Sequence, residues 1–255
     1  MLSMLQDALY RLEKKLEVVF TGQKFDLPDG LQGLIDDYWD SLLRKGNTYT
    51  RGEVFTISDI EEAENVTTVM VELSDYAHYL YTKRVGLSEE YACKNLHTSC
   101  LIEASDGVLI FGRMGRQTSV PGNTQCVGGG LDKDDIRGTV IDLEHNIRKE
   151  LSEEVGIDVD SEDLVTDFGI RYLRYDSRIN SIAAIFMLKL SIPSREFADR
   201  YDRFELALRE DGEIPEFESL IYVSKERSAI DALYANEGGH FDHYVMPLLE
   251  AVVSE

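Results

Sequence analysis

The chain has little that would cross-link it, carry it across a membrane or draw it to nucleic acid. Its three cysteines, Cys93, Cys100 and Cys126, form no CxxC pair and leave an odd count, which speaks against a disulfide framework or a zinc site of paired cysteines and fits a reducing cytoplasm. Positive charge is scarce: 26 Lys and Arg stand against 48 Asp and Glu, a net charge of -22. Such a surface repels phosphate backbones and anionic membranes, so duplex nucleic acid and membrane partners are excluded. No apolar run reaches the length needed to span a bilayer. Met1 to Phe20 is interrupted by Asp7, Arg11, Glu13, Lys14 and Lys15, which no signal-peptide core tolerates; it reads as an amphipathic helix with Leu2, Leu5, Leu12, Leu16 and Val19 at helical spacing. Repeats, low-complexity tracts and Pro/Gly/Ser-rich linkers are also missing, so the division drawn near residue 95 follows a change of pattern only.

What is there suffices for a packed core, since 43% of the 255 residues are hydrophobic. Residues 1 to 95 read as an N-terminal region of helices and antiparallel strands. A second helix is expected from Leu31 to Leu43, with Gly46 at its end. The β-branched and aromatic runs Val54 to Ile57, Val66 to Leu73 and Tyr76 to Tyr81 are expected as strands. From residue 96 the pattern restarts: Thr98 to Ala104 and Val108 to Gly112 flank the turn Ser105-Asp106-Gly107, a hairpin signal. A short strand, Thr124 to Val127, runs into Gly128-Gly129-Gly130. Then follow a helix with Val140, Ile147, Leu151 and Val155 on one stripe and Gly156 as its C-terminal cap, strands over Leu164 to Tyr172 and Ile179 to Leu190, a helix over Ser194 to Leu208, a strand over Ser219 to Val223 and two late helices.

The helix ending at Gly156 carries the chemistry. At about 100° per residue, Glu150, Glu153 and Glu154 share one sector beside the apolar stripe. Carboxylates held close raise one another's pKa unless a cation lies between them, and an all-oxygen set suits a hard divalent ion such as Mg2+ or Mn2+. An exposed acidic helix face has the same spacing, so spacing alone leaves both readings open. The glycines do not make a nucleotide P-loop, because no Gly-Lys-Ser/Thr follows them.

The segment Lys149-Glu150-Leu151-Ser152-Glu153-Glu154-Val155-Gly156-Ile157 resembles the second half of the Nudix box, Arg-Glu-apolar-x-Glu-Glu-x-Gly-apolar, departing only at the first position. The resemblance covers roughly residues 97 to 255 and implies a Nudix-type α/β/α sandwich with a mixed sheet, an α+β fold. It further implies metal-dependent hydrolysis of the diphosphate in a nucleoside diphosphate linked to another group, such as ADP-ribose or a nucleotide sugar. By the resemblance, Glu150, Glu153 and Glu154 are metal ligands and Gly129 or Gly130 is the glycine that opens the box. Lys149 stands in the place of an arginine that orients the carboxylates, keeping the charge without the planar two-pronged guanidinium.

The first half of the box departs further. The family's glutamate lies six positions after the glycine and eight before the arginine. Asp135 is six positions after Gly129 but 14 before Lys149, which asks for an insertion between them. Asp135 is the favoured fourth ligand, with Asp132, Asp134, Asp142 and Glu144 as competitors and turn or cap residues as the plainer reading of all five. The general base lies among Glu213, Glu216, Glu218, Glu237 and His240, while His240 and His243 read as surface or packing histidines and the tyrosines of Tyr76 to Tyr81 as ordinary sheet surface. Gly238 and Gly239 mark either a loop near the pocket or a helix cap. The N-terminal part is expected to cover the pocket or to build a homodimer. A rival reading keeps the fold and loses the turnover, leaving a nucleotide-binding or regulatory module.

Overall fold

The computed structural model describes residues 7–47, 49–118, 120–177, 181–237 and 240–254. Along the chain it contains β1 (Ala8–Arg11), β2 (Lys15–Lys24), α1 (Asp29–Arg44), β3 (Glu53–Glu62), β4 (Val66–Asp75), α2 (Tyr76–Val85), β5 (Asn95–Glu103), β6 (Val108–Met114) and β7 (Thr124–Gln125). A 3-10 turn at Lys133–Asp135 follows. Then come β8 (Ile136–Arg137), β9 (Val140–Ile141), α3 (Leu143–Val155), β10 (Val165–Asp176), β11 (Ser181–Leu190), α4 (Ser194–Glu210), β12 (Phe217–Ser224), α5 (Arg227–Glu237) and α6 (Val245–Ser254).

All these strands join one mixed sheet in the order β1-β10-β11-β5-β3-β4-β2-β9-β8, while β6 pairs with β5, β7 and β12. The pairs β11/β5 and β2/β4 are parallel, and the other pairs are antiparallel. Alternation along β11 explains the layering. Ile182, Ala184, Phe186 and Leu188 face a core shared with Ile147, Leu151 and Val155 of α3 and with Phe197 and Tyr201 of α4. Ala183, Ile185 and Met187 face the other core, built with Ile230 and Leu233 of α5 and Val245, Leu248, Leu249 and Val252 of α6. Successive strand residues point to opposite faces, so a strand apolar on both is sandwiched between helices. The expected α/β/α arrangement around a mixed sheet is therefore present. Each fully buried aliphatic side chain of the α3 stripe contributes roughly 1.5–3 kcal/mol.

Residue 95 is the first of β5, and ladders cross it: β1 pairs with β10, and β2 pairs with β9. Val18, Phe55, Ile57, Val69 and Val71 belong to the same core as α3. Among the described residues no helix is long and apolar enough to cross a membrane.

Three elements correct the sequence reading. The amphipathic helix expected at the N-terminus is, from Ala8 on, the strands β1 and β2; Leu16, Val18 and Phe20 sit on one face at period two, and the β-branched Val18, Val19 and Thr21 suit a strand flanked by β4 and β9. Leu12, Leu16 and Val19 satisfy the helical spacing equally well, and only the pairing decides. Tyr76 to Tyr81, expected as a strand, is helix α2: Asp75 caps it, accepting the His78 N–H at 2.9 Å, and Gly86 closes it at φ +68°. Val140, expected on the α3 stripe, lies in β9 and is 40% exposed, because Asp142 caps α3 just after it, accepting the His145 N–H at 3.0 Å. Ile179 and the pair Gly238-Gly239, together with the side chain of Glu237, lie outside the described residues.

Candidate active site

Helix α3 brings its acids to the glycine turn through local chemistry. Gly156 at φ +68° ends the helix where the spacing places its cap, and Ile147, Leu151 and Val155 anchor it on the sheet. The extra length between Asp135 and Lys149 is the short hairpin β8–β9, which docks on β2 through Val18 and Ile141.

The glycine turn runs against both β5 and α3. Gly128 has φ +151°, and a Cβ there would lie 2.2 Å from the Thr98 carbonyl oxygen, so side chains are excluded by backbone on two counts. Its N–H donates to Glu154 Oε2 at 3.2 Å. A Cβ on Gly129 would lie 2.3 Å from Glu150 Oε1, so this glycine makes the room in which the Glu150 carboxylate sits. Gly130 has open space around its Cβ position; its carbonyl accepts from Asn146 Nδ2 at 3.0 Å.

Of the three box acids, Glu154 is buried at 5% exposure, Glu150 is half-buried and Glu153 is exposed on the outer side of the helix. The third carboxylate beside Glu150 and Glu154 is Glu216, just before β12, whose carboxyl is within hydrogen-bonding reach of Glu154. Burial pushes Glu150 up to about 7; Lys149 opposes that shift, and Glu153, Glu216 and Asp135 add to it. Burial, then Glu216 and Glu150, drive Glu154 well above the usual carboxylate range, and burial raises Glu216 as well. Among the other base candidates, Glu213, Glu218 and His240 are exposed.

Lys149 does not reach across these carboxylates. Its Nζ pairs with Asp132 at 2.8 Å, which pins the 3-10 turn to α3. Asp135 is fully buried: Oδ2 accepts from the Asp132 N–H and from Asn146 Nδ2, each at 2.9 Å, and Oδ1 has no partner among the described residues. Asp142 is the α3 cap and Glu144 pairs with Arg148 at 2.8 Å. Asn146, which sequence reading passed over, joins the site: fully buried, it binds Gly130, Asp135 and the hydroxyl of Thr98. Its signal was a polar residue beside Leu143 and Ile147 on the buried face of α3.

The donor set fits a hard divalent ion in its chemistry, being carboxylate oxygen that is buried and mutually repelling, in a cradle a Cβ would fill. Among the described residues, however, no three His, Cys, Asp or Glu side chains form a ready cage. Magnesium tolerates that, since it commonly takes one or two carboxylates and completes its shell with water and substrate phosphate.

A pH dependence follows. Glu150 and Glu154 have folded-state values above the ordinary 4.5. Their contribution to stability is therefore complete below about pH 4.5 and lost as pH rises through 7, where Glu150 ionises. The melting temperature of protein in EDTA is expected to fall between about pH 5 and pH 8. Added Mg2+ is expected to raise it more at the higher pH; an equal rise at both would contradict the link to these acids.

No protein-family model matches the chain, and no curated protein matches it by sequence. Similar solved structures include a bifunctional NMN adenylyltransferase/ADP-ribose pyrophosphatase from Francisella tularensis, complexed with AMP and a manganese ion. It is 12% identical, with a TM-score of 0.42, over 69% of this chain and 46% of that one. Nudix hydrolases from Nitrosomonas europaea (16% identical, TM-score 0.36, 61% of this chain and 86% of that one) and Clostridium perfringens (11%, 0.34, 62% and 95%) are also similar. At such identities and scores these likenesses say nothing about chemistry, which rests on the carboxylates themselves.

Proposed function

We propose that the chain is a metal-dependent hydrolase of the Nudix type, cleaving the diphosphate of a nucleoside diphosphate joined to another group. The observation that carries this reading is the set of Glu154, buried, with Glu150 and Glu216, both half-buried, against the glycine turn, while the nearby cation, Lys149, is committed to Asp132. Three carboxylates this close, only partly offset by Lys149 and the Gly128 N–H, cost stability and persist where a ligand uses them.

Glu150, Glu154 and Glu216 would hold magnesium or manganese, which neutralises phosphate charge and lowers the pKa of a bound water. The Gly128 N–H keeps the Glu154 carboxylate turned toward the turn. Glu216, which comes from outside the helix, would accept the proton of the attacking water at a carboxylate oxygen. Asn146 and Asp135 hold the turn at its distance from α3.

The test is phosphate release, coupled to a phosphatase, from a panel of nucleoside diphosphate derivatives in Mg2+ or Mn2+. Turnover is expected, with Glu216→Gln lowering kcat at least a hundredfold and exposed Glu153→Gln lowering it less. A second reading is favoured by Lys149 being turned to Asp132 and by the absence of a ready three-acid cage among the described residues: a module that binds nucleotide without cleaving it. Nucleotides that raise the melting temperature while no panel member is cleaved would make that reading the better one.

A further inference from the structure

Beside the carboxylate site lies a cavity of about 230 Å³. Tyr79 and Lys83 of α2 form one wall, His97 and Asp242 line it, and Gly129 and Glu216 belong to its border with the carboxylates. Whole drug-sized ligands fill roughly 300–1,000 Å³, so this space takes one ring system and leaves the rest of a ligand outside.

Its polar groups are fixed by their neighbours. Asp242 Oδ1 is saturated by His243, accepting the backbone N–H at 2.6 Å and bonding the ring Nδ1. Although burial works against it, the hydrogen bonds from His243 hold Asp242 below the usual carboxylate range. Asp242 is therefore ionised, an acceptor and never a donor. Its Oδ2 takes no hydrogen bond from any described residue, and the side chain keeps 26% of its exposure. Burial pushes His97 down to about 4, so this ring is neutral. Lys83 is exposed, its Nζ 5.1 Å from the Tyr79 ring centroid and 3.3 Å from the Tyr79 hydroxyl, with no carboxylate in ion-pair range among the described residues. The cavity thus offers an aromatic wall, the Asp242 carboxylate as a charged acceptor and Lys83 as a charged donor at the rim, beside the side-chain amides of Asn95 and Gln125.

We infer that this cavity is a nucleobase pocket that selects bases carrying a ring N–H at the pairing edge with a carbonyl beside it, guanine, hypoxanthine and uracil, over those presenting a ring nitrogen acceptor there, adenine and cytosine. The ring N–H donates to Asp242 Oδ2, and the carbonyl beside it accepts from Lys83. Adenine and cytosine would turn a nitrogen lone pair toward a carboxylate, and a site built to bond a substrate N–H rejects an analogue lacking it. The Tyr79 face gives stacking common to all bases. The inference deepens the hydrolase reading by naming the base, since Gly129 and Glu216 put the phosphates on the carboxylate side.

The experiment is calorimetric titration of the protein in EDTA with GMP, IMP, AMP and CMP. The four carry the same phosphate, so its charge cancels from the comparison. GMP and IMP are expected to bind at least tenfold more tightly than AMP and CMP. Asp242→Asn, whose amide can donate to a ring nitrogen and still accept from His243, is expected to tighten AMP and abolish the preference. If that variant melts early, Lys83→Met, changed at an exposed position, is expected to weaken GMP and IMP several-fold and leave AMP unchanged. Equal affinity for all four, no binding of any, or a preference indifferent to both variants overturns the inference. Base preference without hydrolysis in metal would sink the hydrolase reading alone; hydrolysis indifferent to the base would sink the pocket alone.

Discussion

Glu154→Gln is expected to remove hydrolysis while making the metal-free protein more stable at neutral pH. Glutamine has the shape of glutamate, and its carbonyl can still accept the Gly128 N–H that Glu154 Oε2 accepts at 3.2 Å. What it lacks is the charge, which burial and the neighbours Glu216 and Glu150 make costly. Removing that cost is worth on the order of 1 kcal/mol above neutral pH in EDTA, a gain that vanishes at acid pH, where Glu154 already holds its proton. The same change deletes a proposed direct ligand. Loss of groups one layer further from a metal costs about 10–100-fold, so a drop in kcat of roughly a thousandfold, about 4 kcal/mol, is expected here. Melting curves in EDTA across pH, set beside phosphate release in Mg2+, check both halves. A lower melting temperature for Glu154→Gln at pH 8 would mean that the carboxylate is already compensated, and the argument for a cation at this spot would fall.

The three adjacent glycines are expected to respond to alanine in three different ways. At Gly128, φ is +151° and the new Cβ would meet the Thr98 carbonyl oxygen at 2.2 Å and the Ser99 Cα at 2.7 Å. These are backbone atoms of β5 that cannot swing aside. Strained φ costs about 1–3 kcal/mol and overpacking a similar amount, so Gly128→Ala is expected to lose roughly 4 kcal/mol or to fail to fold. At Gly129 the obstacle is the end of the Glu150 side chain, which can rotate away. Gly129→Ala is therefore expected to fold with little loss and to hydrolyse poorly, because the displaced carboxylate is one of those proposed to hold metal. Gly130→Ala meets nothing within 4 Å and should stay within about 0.5 kcal/mol of the native protein. Urea unfolding separates the first from the other two, and kcat separates the second from the third. A stable Gly128→Ala would show that β5 and the turn are less tightly opposed than described.

Much of the helix that carries the site could be read from short-range chemistry. The stripe Ile147, Leu151 and Val155, the cap at Gly156 and the relative angles of Glu150 and Glu154 follow from the helical period alone, and the hairpin flanking Ser105-Asp106-Gly107 from alternation and turn residues. Counting from Gly129 singles out Asp135, and the structure gives it a capping role, its carboxylate accepting the Asp132 N–H. Yet the bonds it makes, to Asp132 and Asn146, depend on a turn that counting cannot draw.

Period and spacing constrain only residues close along the chain, so the sequence by itself determined which helix bears the acids, where it stops and that a glycine turn precedes it. Tertiary structure decided the rest. Glu153 shares a helical sector with its neighbours but ends exposed, since the sheet covers one side of that sector. Glu216 looks like Glu213 and Glu218 in sequence and becomes a site residue because β12 pairs with β6 and carries it to Glu154. Lys149 turned to Asp132, a partner only the 3-10 turn could present. Ala8–Arg11 and Lys15–Lys24 became strands because β10, β4 and β9 were there to pair with them. Tyr79 and Asp242 face one cavity only after α2 and the approach to α6 are brought to the same end of the sheet. In each case contacts between distant segments chose among conformations that local preference left nearly equal in energy.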